Sequence, residues 1–201
     1  MGHRGNFFKA AAVVVGLGAL ACGAASPVAP RFFDPAINGM VWYQPGTMKP
    51  VTDRIDWMAV IDDGYGPGAF ITRDRKEMLL LERQHDTVPP AIGTIGFIRA
   101  PADAPPTLKV IEDIDSFSTG KGIRLGMTEA EVTAILGPDC MKRETINDLP
   151  AVTYEMGPET VCSGLRHRLF LKSVGLPDYA GSYAFDNGRL AQVWLESGQD
   201  Y

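Results

Sequence analysis

Residues 119–138, TGKGIRLGMTEAEVTAILGP, leave the backbone less freedom than any other stretch of the chain. Thr128 stands three residues before Glu131, the spacing of a capping box. Its hydroxyl can accept from the Glu131 N–H while the Glu131 carboxylate reaches back to the Thr128 N–H. A helix therefore starts after Thr128. Met127 and Val132 flank the cap as a hydrophobic staple, and Val132, Ile135 and Leu136 form one apolar stripe. Gly137 supplies a left-handed cap and Pro138 forbids continuation. The spacing predicts a helix of about eight residues, which must be held by packing because two turns are marginal alone.

A second local signal stands near the end of the chain. Asp186-Asn187-Gly188-Arg189 puts Asn-Gly between two alternating runs, and both central residues tolerate the positive φ of a type I′ hairpin turn. That turn sets Phe185 opposite Leu190 and Tyr183 opposite Gln192. Tyr183, Phe185, Leu190 and Trp194 then share the face that covers the helix, with Ala184, Ala191, Val193 and Leu195 behind. Residues 152–156 and 169–174 read as further strands of the same sheet. Upstream, apolar runs at 40–43, 55–61, 69–72, 78–81 and 95–98 are separated by turn signals, again arguing for strands. Arg73-Asp74-Arg75-Lys76 reads as a charged hairpin tip. The chain holds 22 Gly and 15 Pro, richer than ordinary usage and consistent with many turns. Three of those prolines fall in residues 100–106, either a boundary between two regions or a stiff loop within one.

The first 21 residues read as a secretory signal. His3, Arg4 and Lys9 give a positive start, residues 10–20 an apolar run, and Ala19-Leu20-Ala21 the small residues before a cut. Even counted to Ala25 the run is 16 residues, about 24 Å at ~1.5 Å per residue and short of a ~30 Å hydrocarbon core. Ala19-Leu20-Ala21-Cys22 resembles a bacterial lipobox, which implies a lipid on Cys22 and a flexible tether over residues 22–36. Ordinary signal cleavage and an uncleaved anchor are the alternatives. The expected location is the bacterial periplasm or outer membrane, with the protein lipid-anchored.

Of the three cysteines, lipidation of Cys22 leaves Cys140 and Cys162. These can bridge in an oxidising compartment or remain as two buried thiols. No CxxC, HExxH or Cys/His cluster is visible along the chain, so no metal or cofactor is expected. Losing the signal removes two cations and no acid, taking the formal charge from −5 to −7. That argues against a phosphate-backbone partner and leaves membrane attachment to the lipid, since a mildly acidic body would not bind anionic lipid by itself.

The run GIRLGMTEAEV followed by LGP, with later strands ending in FDNGRL, resembles the BamE/OmlA-like (SmpA/OmlA) family of small bacterial envelope lipoproteins over residues 122–196. The resemblance implies an α+β fold with a short GMT-type helix, marked by Gly126, Met127, Thr128, Glu131, Val132 and Gly137, packed on a small antiparallel sheet. It places that domain at residues 107–201, preceded by a β-rich region over 37–106. A similar module occurs in secreted protein inhibitors of β-lactamase.

The function expected is therefore non-enzymatic: a protein-binding or outer-membrane assembly module whose partner is another envelope protein. Trp42, Tyr43, Trp57 and Tyr65 are the candidate interface, core packing being the competing reading. An enzyme inhibitor inserting the Gly64–Gly68 turn and a small hydrolase using His85 or His167 are the alternatives. No GxSxG elbow surrounds Ser163, and no carboxylate set has calcium-loop spacing.

Overall fold

The computed structural model describes residues 27–56, 65–83 and 92–198. The chain is α+β, with an eight-stranded sheet and a separate two-stranded one. The small sheet pairs β1 (Ala36–Ile37) with β2 (Met40–Val41), and α1 (Pro45–Thr52) follows. The large sheet holds β3 (Ala69–Thr72), β4 (Glu77–Arg83), β5 (Ile92–Arg99), β6 (Lys109–Ile111), β7 (Met141–Ile146), β8 (Leu149–Met156), β9 (Tyr179–Asp186) and β10 (Arg189–Glu196). Its order is β6-β3-β4-β5-β10-β9-β8-β7. Every pairing is antiparallel except β3 with β6. Helices α2 (Glu129–Leu136) and α3 (Leu165–Val174) complete the elements of the described residues.

The sheet is larger than the small one expected, because β5 of the first half pairs with β10 of the second. Both β10 edges are thereby hydrogen-bonded and no apolar edge is left open at the centre. Residues 100–106 connect β5 to β6 within this one sheet. Across it Phe70, Leu79, Phe97, Val193, Tyr183 and Val152 stand in successive register on one face. All six are fully buried. Over them pack Met48 and Val51 of α1, Val132 and Leu136 of α2, and Phe170 and Leu171 of α3. A smaller cluster of Ala69, Ile71, Met78 and Leu108 lies on the other face. On that face Trp194 lies across Gly96, where a Cβ would sit 2.3 Å from the indole.

The capping box forms as read. The Glu131 carboxylate accepts from the Thr128 N–H at 2.7 Å, and the Thr128 hydroxyl accepts from the Glu131 N–H at 3.3 Å. Thr128→Ala is expected to cost about 0.5–2 kcal/mol in chemical unfolding. Gly137 corrects one detail: its φ of 85° is positive, but its ψ of 170° is extended rather than left-handed helical, a conformation open essentially to glycine alone. Arg31 supplies part of the ending instead, donating from Nε to the Ile135 carbonyl at 3.0 Å and from Nη2 to that of Ala134. The Tyr154 hydroxyl donates to the Gly137 carbonyl at 2.9 Å.

Three expectations are corrected. The Asn187-Gly188 turn is present with both φ positive, but β10 carries a bulge at Ala191, so Tyr183 pairs with Val193 rather than Gln192. One extra residue flips every later side chain, and Val193 and Leu195 face the core while Trp194 turns away. Residues 169–174 form the end of α3, not a strand. The tether expected up to residue 36 is packed from Pro30 onward, with Phe32, Phe33 and Asp34 buried. The Asp34 carboxylate accepts from the Lys121 N–H at 3.1 Å and pins the loop before α2.

These two carboxylates titrate in opposite directions. Burial raises Asp34 above the ordinary aspartate range, whereas the Thr128 N–H and hydroxyl hold Glu131 below the ordinary glutamate range. The Asp34 contribution to stability is thus fully present below its unfolded-state value and lost as pH rises through its folded one. The Glu131 contribution is present above its unfolded value and lost as pH falls through its folded one. Carboxyl-carbon NMR is expected to show Asp34 titrating above, and Glu131 below, the solvent-exposed carboxylates of their types.

Candidate interaction face and cysteine–histidine cluster

Cys22, Trp57, Gly64 and His85 lie outside the described residues. Of the other candidate interface aromatics, Trp42 is only 5% exposed and stands edge-on to Tyr43 with ring centroids 5.4 Å apart. Tyr43 is half-buried and reaches Phe33 at 6.4 Å. Tyr65 is half-buried against the smaller apolar cluster and leads, through Gly66, Pro67 and Gly68, directly into β3. Trp42 is thus core, and the surface expected from these residues is not displayed by it.

Exposed apolar surface is found on α3 instead. Its sequence, LRHRLFLKSV, begins after Gly164 and ends at Gly175, whose φ of 77° and ψ of 24° are left-handed. The Leu176 N–H donates to the Leu171 carbonyl at 3.0 Å and the Gly175 N–H to that of Lys172 at 3.3 Å, the paired bonds of a Schellman ending. Phe170 and Leu171 face the core. On the outside, Leu165 is 65% and Leu169 51% exposed, and Val161 just ahead of the helix is 70% exposed. Leu165 and Leu169, four apart on the helix, form an exposed apolar pair beside exposed Arg166, Arg168 and Lys172. No acidic residue lies between positions 160 and 177. A groove of about 450 Å³ borders the same helix, lined by Arg168, Leu171, Lys172, Leu176 and Pro158. A wider cleft of about 630 Å³ lies elsewhere, between Arg75, Lys76 and Glu77 at the β3–β4 turn and residues 99–104.

The pair was missed because Leu169-Phe170-Leu171 looks like a short strand when the run is taken alone. Taken from Gly164 to Gly175, a ten-residue run between two glycines with Leu165 and Leu169 four apart was the available signal.

The fold also assembles what the linear sequence separates. Cys140, after α2, and Cys162, before α3, have sulfurs at disulfide distance and Cα atoms 5.6 Å apart. His167, in the first turn of α3, joins them: the two sulfurs and a ring nitrogen all lie within 4.8 Å of one another. The expectation of no Cys/His cluster holds along the chain but not in space. The His167 ring also packs against Phe32 at 6.1 Å, and Phe32 stacks on Tyr154 at 5.7 Å. Among the described residues no helix is long and apolar enough to cross a membrane.

No family model, curated protein or solved structure matches this chain.

Proposed function

We propose that the protein is a non-enzymatic, lipid-anchored module of a bacterial cell envelope, held at the membrane through Cys22, that binds another envelope protein through the outer face of α3. The observation that carries the binding part is the exposure of Leu165 and Leu169 on α3 and of Val161 ahead of it. Folding leaves most side chains of this size buried, and an exposed patch rimmed by polar groups marks an interaction site. Its charge selects the partner. Three exposed cations on α3, with no acid between positions 160 and 177, in a chain of formal charge −5, favour an apolar patch ringed by carboxylates.

The anchoring part rests on the signal-like first 21 residues and on the Ala-Leu-Ala-Cys sequence before residue 23. The GMT helix supports the family resemblance and has a structural role. Its motif residues satisfy backbone groups, and Gly126, at a φ of 86°, donates its N–H to the Leu190 carbonyl at 2.8 Å. The module therefore presents α3 from a sheet that α2 helps to close.

A Leu165→Ser, Leu169→Ser double variant tests the binding face. Both side chains are more than half exposed, so the unfolding midpoint is expected to stay within ~0.5 kcal/mol per site of the parent. Co-purification of envelope proteins is expected to fall at least tenfold. Undiminished co-purification would reject α3 as the interface, and an unmodified Cys22 in mass spectrometry of the membrane-bound protein would reject the anchor.

A further inference from the structure

We infer that Cys140, Cys162 and His167 form, once the cysteines are reduced, a three-coordinate site for a soft monovalent cation, copper(I). The inference stands on geometry independent of the α3 face. The two sulfurs and a His167 ring nitrogen already lie within 4.8 Å of one another. A cation about 2.0–2.3 Å from each donor needs donors roughly 3.5–4 Å apart, so side-chain rotation alone opens the site. The Cα separation of 5.6 Å stays as it is.

The donor set fixes the class of ion. Two thiolates and one imidazole are soft and borderline ligands, suited to copper(I), zinc or iron–sulfur chemistry. Zinc takes four ligands, the fourth being water where only three protein donors are supplied. Among the described residues no fourth His, Cys, Asp or Glu joins this group, so zinc would need a water here, whereas three donors complete a copper(I) site. The surroundings suit the charge as well. Two thiolates around one monovalent cation carry a net negative charge, and Cys162 lies two residues before the Gly164 N-cap of α3, near the helix end that favours anions.

Cys140 has a φ of 63° in the turn between α2 and β7, one residue before Met141, and that turn brings its sulfur to Cys162 and His167.

The chemistry balances as two steps. A dithiol reductant gives two electrons and two protons to the Cys140–Cys162 bond, becoming a disulfide itself and leaving two thiols. Copper(I) then displaces the two thiol protons and takes a lone pair of a His167 ring nitrogen. Oxidised, the pair closes and the site is lost; reduced, it opens to the metal.

The test uses the full chain carrying Cys22→Ser, so that Cys140 and Cys162 are its only thiols. Under anaerobic conditions the reduced and oxidised proteins are titrated against the coloured copper(I) complex of bathocuproine disulfonate, with circular dichroism followed in parallel. The reduced protein is expected to keep its fold and withdraw one equivalent of copper(I), the oxidised protein none. Adding Cys140→Ser should abolish uptake. Adding His167→Ala, which keeps both thiols, should weaken binding at least tenfold, whereas thiols on an unfolded chain would be indifferent to it. No uptake by the reduced protein, unfolding on reduction, equal binding by the His167→Ala variant, or tighter retention of zinc would each overturn the assignment.

Discussion

Phe97→Ala is expected to lower the unfolding free energy by about 3–5 kcal/mol, the cost of a large cavity in a packed aromatic site. Phe97 has no exposed surface and pairs with Leu79 on one side and Val193 on the other. It also meets Phe117 with ring centroids 6.0 Å apart. Its loss therefore opens the row at the strand that joins the two halves of the sheet. Because that sheet is continuous, chemical unfolding followed by tryptophan fluorescence and by far-ultraviolet circular dichroism should remain one coincident transition at a lower midpoint. Two separated transitions, with only one displaced, would mean that the halves fold as independent units.

Loss of the Cys140–Cys162 link is the second large effect. The two positions are 22 residues apart, and a closed loop of that length contributes about 3 kcal/mol on the chain-entropy view. Cys140→Ser should approach that loss, and should also loosen the segment between α2 and β7 that carries Cys140. Non-reducing peptide mapping of the exported protein should recover the linked pair, and thermal unfolding with and without a reductant should reproduce the stability difference. Two freely alkylated thiols in the denatured, unreduced protein would remove the basis for it.

What could be read from the sequence divides by range. The α2 helix was legible to its ends because Thr128, Glu131, Gly137 and Pro138 act on backbone groups within four residues of themselves. The Asn187-Gly188 turn was legible for the same reason. Two other tight turns, at Asn38-Gly39 and Asn147-Asp148, also have positive φ at both central residues and carried the same kind of signal without being used. The bulge at Ala191 was not legible, because it is decided by how β10 meets β5 and β9 together. Helix α1 was hidden by Gly46 and Pro50, poor helix formers overridden here by burial of Met48 and Val51. The pairing of β5 with β10 joins segments nearly a hundred residues apart in sequence, where hydrophobic alternation names no partner.

The site follows the same division. Cys140 and Cys162 were identifiable as a pair because only three cysteines exist. The arrival of His167 depended on α3 being a helix, whose first turn brings residue 167 back toward residue 162. Of the candidate interface aromatics, Trp42 takes the core reading, because large aromatics near a chain start suit an interface and a core equally well. Here Phe32, Phe33 and Phe170 enclose that region. Reading residues 169–174 as a strand hid the helix that exposes Leu165 and Leu169.

Site-specific photo-crosslinking in the membrane-bound protein tests the central claim most directly. A diazirine amino acid would be placed in turn at Leu165, at Leu169 and, as a reference, at exposed Arg99 on β5. The proposed interface predicts the same discrete protein adduct from positions 165 and 169 and none from position 99, with the adduct lost when Arg166, Arg168 and Lys172 are replaced by Glu. Adducts of equal yield from all three positions, or adducts to lipid alone from the helix, would contradict it.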